Sequence, residues 1–215
     1  MTTYKILMNV GHVISFIISI LYLANYRKLT KPLKIFSIFL FLLASVNFIG
    51  FVLGQFRIHN TFLWHYFNYV EWFLMAWYFI YFYTDKLKRI VVSFLIIVLL
   101  MMLCGSIFIN PITEFNILGY FVLKLMIIVL GLIEIYKNQL VSKEHYYYLN
   151  IGIVFSSIVS LCYFTFWNLR LTEAFSKEGK IVLMIVNSSA FIIGLLFYFV
   201  EFYKSKLWKV SKEME

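Results

Sequence analysis

The sequence predicts an all-α polytopic membrane protein, a seven-helix bundle forming one domain over residues 1–215, and three observations carry that expectation. Hydrophobic residues make up 63% of the chain and charged residues 13%, at a mean hydropathy of +0.88, whereas a water-soluble domain is about half apolar and about a quarter charged. The apolar residues fall into runs near the roughly 20 residues that carry a helix across a hydrocarbon core about 30 Å thick. The breaks between runs, such as RKLTKPLK, RIHNT and DKLKR, are short and charged, which makes neighbouring helices antiparallel. Solid stretches such as FLIIVLLMMLCG and LMIIVLGLI lack the alternation of a transmembrane strand. The 21% aromatic content excludes a disordered chain, and two cysteines exclude a disulfide framework.

Each span is justified by its apolar run and by a face of polar residues. Polar groups in hydrocarbon are costly and turn toward the bundle interior, and a helix turns 100° per residue. The first span, 5–26, places Asn9, His12, Ser15, Ser19, Tyr22 and Tyr26 on one stripe. No cleavage site precedes it, so it is expected to remain as an uncleaved signal anchor. The second, 35–57, carries Asn47 with Gly50 and Gly54, a GxxxG pair that would let another backbone approach, within the monomer or in a dimer. The third, 62–84, gathers His65, Asn68 and Glu71 with Trp64, Trp72 and Met75 on one arc.

The fourth span, 90–109, has only Ser93, Cys104 and Ser106 among apolar residues and is expected at the lipid-facing periphery. The fifth, 117–136, aligns Tyr120, Lys124, Ile127, Gly131 and Glu134. The sixth, 150–168, adds Gly152, Ser156, Ser160 and Tyr163, and the seventh, 181–203, aligns Asn187, Phe191, Gly194, Tyr198 and Glu201. Pro32 and Pro111 fall in connections, and the tail KSKLWKVSKEME reads as a basic interfacial anchor around Trp208.

Orientation follows from Lys and Arg, which stay on the cytoplasmic side of short loops. An outside N-terminus puts Arg27, Lys28, Lys31, Lys34, Lys86, Lys88, Arg89, Lys137, Lys143, Lys204, Lys206, Lys209 and Lys212 inside. Only Lys5, Arg57, Arg170, Lys177 and Lys180 then lie outside. The N-terminus is therefore expected outside and the C-terminus in the cytoplasm. The net charge of +9 is read as a topology signal and an attraction to anionic membrane lipids. No basic cluster interleaved with exposed aromatics calls for nucleic acid. Few Ala with many Ile, Phe, Lys, Asn and Tyr points to an AT-rich bacterial genome and an inner-membrane location.

Depth singles out one constellation. With a rise of 1.5 Å per residue, Glu71 lies about 14 Å below the outer end of its helix, and Lys124 and His12 about 10 Å below theirs. Glu71 and Lys124, opposite in charge and matched in depth, are expected to pair or to share a ligand. His65, Asn68, His12, Asn47 and Asn187 complete the expected ligand or proton site. Glu134 and Glu201 lie near the cytoplasmic ends, where basic loops offer partners.

Catalytic motifs are missing. There is no GxSxG, P-loop or GxGxxG, and His12, His59, His65 and His145 form no HxxxH or HxxE pair, so neither a metal nor another cofactor is expected. The seventh span contains no Lys for a retinal Schiff base. The expected function is a non-enzymatic, receptor-like ligand-binding module that signals through a separate membrane or cytoplasmic protein. A small-solute or proton-linked transporter is the alternative, although unbroken helices fit alternating access poorly. A membrane-embedded lipid-modifying enzyme using Glu71 or His65 as base is the third reading.

Overall fold

A computed structural model describes residues 3–109, 115–141, 146–168 and 176–213. It contains seven helices: α1 (Thr3–Ala24), α2 (Lys31–Gln55), α3 (Thr61–Ile80), α4 (Asp85–Cys104), α5 (Ile117–Val141), α6 (Tyr147–Asn168) and α7 (Lys177–Glu213). No strand occurs among the described residues. Every helix but α3 is long and apolar enough to cross a membrane, which makes the chain an integral, multi-pass membrane protein. α3 is long enough, but His65, Asn68, Glu71 and its Trp and Tyr residues lower its hydropathy. Pro111, Lys143, His145, Arg170 and the side chain of Trp208 lie outside the described residues.

Several boundaries differ from the sequence expectation for local reasons. α2 begins at Lys31, so Pro32 belongs to its first turn rather than to a connection. A first-turn proline is tolerated because its missing N–H would have had no intrahelical partner. At the other end of α2, Arg57 N–H donates to the Gly54 carbonyl at 3.1 Å and Ile58 N–H to that of Leu53 at 2.9 Å. Arg57 adopts a left-handed φ of 57° to close this cap. α4 continues through a π-helical turn, Gly105–Ile109, and α7 runs on to Glu213, beyond its apolar run.

α1, α2, α3, α5, α6 and α7 pack in that order into a ring, and α7 returns to α1. α4 stands outside, against α5 and α3, in keeping with its few polar residues. Close approach is set by glycines on α1, α6 and α7. A Cβ at Gly152 would stand 2.7 Å from Cε1 of Tyr198, one at Gly194 3.3 Å from Cβ of Ser156, and one at Gly11 2.9 Å from Cδ1 of Phe191. The GxxxG pair of α2 does not work this way: beside Gly54 there is nothing within 4 Å, and beside Gly50 only Nδ2 of Asn60 at 3.6 Å. Within the chain, no second backbone reaches either glycine among the described residues.

The half of the ring remote from the α1 N-terminus is filled by aromatic rings. Phe36 packs edge-on against Tyr198 at 4.9 Å between centroids and against Tyr22 at 5.9 Å. The buried Tyr22 donates its hydroxyl hydrogen to the Tyr198 carbonyl at 2.8 Å, and Tyr78 donates to Oδ1 of Asn150 at 2.9 Å. Each phenol thus buries its ring and still satisfies its polar tip, tying α1 to α7 and α3 to α6.

Candidate functional site: a cavity with an ion pair in its wall

The other half of the ring holds a cavity of about 840 Å³ lined by residues of six helices, all but α4. Tyr4 and Lys5 of α1, Gln55 of α2 and Asn60 beside α3 line its outer part. All belong to the end of the bundle where the chain enters α1. Toward the aromatic layer it ends at Met75, Ile153 and Tyr198. This volume is typical of small-molecule sites, which range over roughly 300–1,000 Å³.

Glu71 and Lys124 meet in its wall. Lys124 Nζ donates to Oε1 of Glu71 at 2.5 Å, and both side chains are nearly excluded from the surface, at 7% and 11% exposure. The pair bridges α3 and α5. The ammonium also lies 5.2 Å from the Tyr120 ring centroid, a cation–π contact. Two charges held in a low-dielectric interior persist because each neutralises the other.

His12, Asn47 and Asn187 also line the cavity, together with Asn9, Ser156 and Ser160. His12 packs edge-on against Phe191, 6.3 Å between centroids, and its buried Nδ1 has no protein partner. Gly50 and Gly54 line the α2 wall beside Asn47, and the lack of side chains there leaves room in the cavity.

His65 and Asn68 lie elsewhere. On α3 the cavity face is Trp64, Phe67, Glu71 and Met75, and His65 is rotated by about 120° from Glu71, Asn68 by about 60°. The arc predicted for α3 therefore spans two faces. His65 Nε2 shares a hydrogen bond of 2.9 Å with Oγ of Ser106 on the π-turn. Asn68 is buried with neither amide atom hydrogen-bonded to protein.

The node around Ser106 is built on Asn116, which sequence reasoning missed. Asn116 Nδ2 donates to the Met102 carbonyl at 2.9 Å and to Oγ of Ser106 at 2.8 Å, and its Oδ1 accepts Gly119 N–H at 2.7 Å. Tyr69 joins Ser106 at 2.5 Å. Gly105 and Gly119 make space for Asn116: a Cβ at either would stand 2.6 or 2.5 Å from its amide. In the sequence Asn116 reads as part of a polar turn, and the glycines that make room for it are brought to its sides only by the fold.

Glu134 and Glu201, the other two acidic residues expected within the spans, have partners of their own. Glu134 pairs with Lys137 one turn along its own helix at 3.0 Å. Glu201 accepts Leu149 N–H at 3.4 Å in the first turn of α6, where free amides favour an anion. Lys137 is one of the basic residues expected just beyond the fifth span, so Glu134 finds the kind of partner the sequence suggested, whereas Glu201 is held by a helix terminus. Cys104 and Cys162 are exposed on the helix surfaces, and among the described residues no three His, Cys, Asp or Glu side chains cluster as a metal would require. Comparison with protein-family models, with curated proteins and with solved structures finds no match.

Proposed function

We propose that the chain is a seven-span protein of a bacterial inner membrane, with its N-terminus outside and its C-terminus in the cytoplasm. In this reading it is a non-enzymatic, receptor-like ligand-binding module. The observation that carries it is the cavity of about 840 Å³ that runs to one end of the ring and has the Glu71–Lys124 pair in its wall. Ionisable groups held at such depth are costly and mark ligand or ion sites by default. The aromatic layer around Tyr22, Phe36 and Tyr78 fills the ring beyond the cavity, which favours a one-ended pocket over a path through the protein.

α3 crosses with the others because its strongly polar residues, His65, Asn68 and Glu71, are all buried in the bundle. The connections 25–30 and 81–84, at the end away from the cavity, are short, and in this reading a bound signal passes to a separate membrane or cytoplasmic protein. The site residues are Glu71, Lys124, His12, Asn47 and Asn187, while His65 ties α3 to the π-turn after α4 and Asn68 is buried outside the cavity lining.

Binding and transport separate in one experiment. Proteoliposomes carrying the protein are equilibrated with a small-molecule extract of bacterial cells, filtered, and their retained solutes identified by mass spectrometry. The receptor reading expects one solute retained at no more than about one molecule per chain and lost on Glu71→Gln. Accumulation of many molecules per chain would establish the transporter instead, and a chemically altered solute the enzyme.

A further inference from the structure

Resting on the reading of the cavity as a ligand site, the chemistry of its wall narrows what it takes. Lys124 has three N–H donors and Glu71 two carboxylate oxygens, yet they share one hydrogen bond. Among the described residues no protein group bonds to the second oxygen of Glu71 or to the other two ammonium hydrogens. A donor and an acceptor are thus offered side by side at the wall of a cavity, spoken for only in part.

The charge of the occupant follows from the same pair. Apart from Lys5 in the outer part, Glu71 and Lys124 are the only Lys, Arg, Asp or Glu side chains lining the cavity among the described residues, and together they are neutral. A ligand with one net charge would leave that charge uncompensated in a low-dielectric site, whereas a neutral or zwitterionic head would not. Tyr120 lies against the Lys124 ammonium, and Trp64, Phe67 and Phe191 add further rings to the cavity lining, which suits an apolar or aromatic body.

We propose that the site takes a solute of zero net charge, with an aromatic body and a head that sets a hydrogen-bond donor beside an acceptor. A primary carboxamide and the ammonium–carboxylate head of an amino acid share that chemistry. Glu71 receives the donor, Lys124 supplies hydrogens to the acceptor, and the aromatic rings hold the body.

The test uses four probes that share one phenyl body and differ in charge: phenylacetamide, L-phenylalanine, phenylacetate and 2-phenylethylammonium. Each is radiolabelled and equilibrated at pH 7 with the full chain in lipid nanodiscs. The wild type is expected to retain one of the two net-neutral probes at least about tenfold over both mono-ions, and which one is retained tells carboxamide from zwitterion. Glu71→Gln is expected to turn the preference toward phenylacetate, and Lys124→Gln toward 2-phenylethylammonium. The exchanged pair, Glu71→Lys with Lys124→Glu, keeps neutrality and the preference for a net-neutral probe, and it serves if either single variant fails to fold. Gly50→Phe, which adds a ring to the α2 wall of the cavity, abolishes retention. Retention that Gly50→Phe removes but that is blind to charge, or unchanged in order by the variants, overturns the assignment of the head group and leaves the cavity reading standing. Retention of no probe by any form overturns the assignment together with the reading of the cavity as a site for aromatic solutes.

Discussion

Glu71 and Lys124 hold one another in place, and the cost of separating them is the sharpest expectation at the scale of single residues. Glu71→Gln leaves the Lys124 ammonium buried without its counter-charge, a loss of about 3–5 kcal/mol, read as a fall in thermal midpoint in detergent. Glu71→Leu combined with Lys124→Met removes both charges and is expected to return the midpoint close to wild type. A double variant as unstable as the single one would show that the stabilisation is not specific to the pair. At the α4–α5 node, Gly119→Ala would drive a methyl into the Asn116 amide and is expected to destabilise by about 1–3 kcal/mol. A midpoint within a degree of wild type would contradict the placement of Asn116. The ion pair was legible in the sequence because a charged side chain in a 20-residue apolar run has few alternatives to a partner of opposite charge at its own depth. Asn116 was not legible, since an asparagine after a proline-containing break looks like turn chemistry, and only the fold brings Gly105 and Gly119 to its two sides.

At the scale of elements, apolar runs located all seven helices, every end but the C-terminus of α7 falling within about five residues of its expected place, and the errors have physical causes. α2 starts four residues before its expected position because Pro32 fits a first turn. α7 outlasts its apolar run, because hydropathy reports where lipid ends and not where hydrogen bonding does. Polar arcs were harder to read: 100° per residue places His65 and Glu71 about 120° apart, a separation broad enough to address α4 with one side chain and the cavity with the other. α3 is the element whose crossing most needs direct proof, because its polar content sets it apart from the other six. With Cys104 and Cys162 replaced by Ser, Ile58→Cys, at an exposed position before α3, is expected to react with an impermeant maleimide added outside intact cells. Tyr81→Cys, exposed just after α3, reacts only once the membrane is permeabilised. Both positions labelled from the same side would mean that α3 does not cross.

Over the whole molecule, six helices surround a space that is aromatic at one end and cavity at the other, while α4 buttresses the seam between α3 and α5. The Glu71–Lys124 bridge crosses that seam from within, so the group proposed to read the ligand also joins two walls of its site. A ligand that competes for either charge would bear on the α3–α5 contact. The sequence could show that the interior is polar, because polar residues recur on one face of nearly every span. It could not show that the polar faces stand apart around a cavity rather than touch, because that depends on how closely Gly11, Gly152 and Gly194 let α1, α6 and α7 approach. The most direct test of the central claim is native mass spectrometry of the gently purified protein beside Gly50→Phe. The wild type is predicted to carry a small molecule at one per chain that the filled variant lacks. The same adduct on both proteins, or a bare wild type released from its native membrane without detergent, would contradict a ligand site in this cavity.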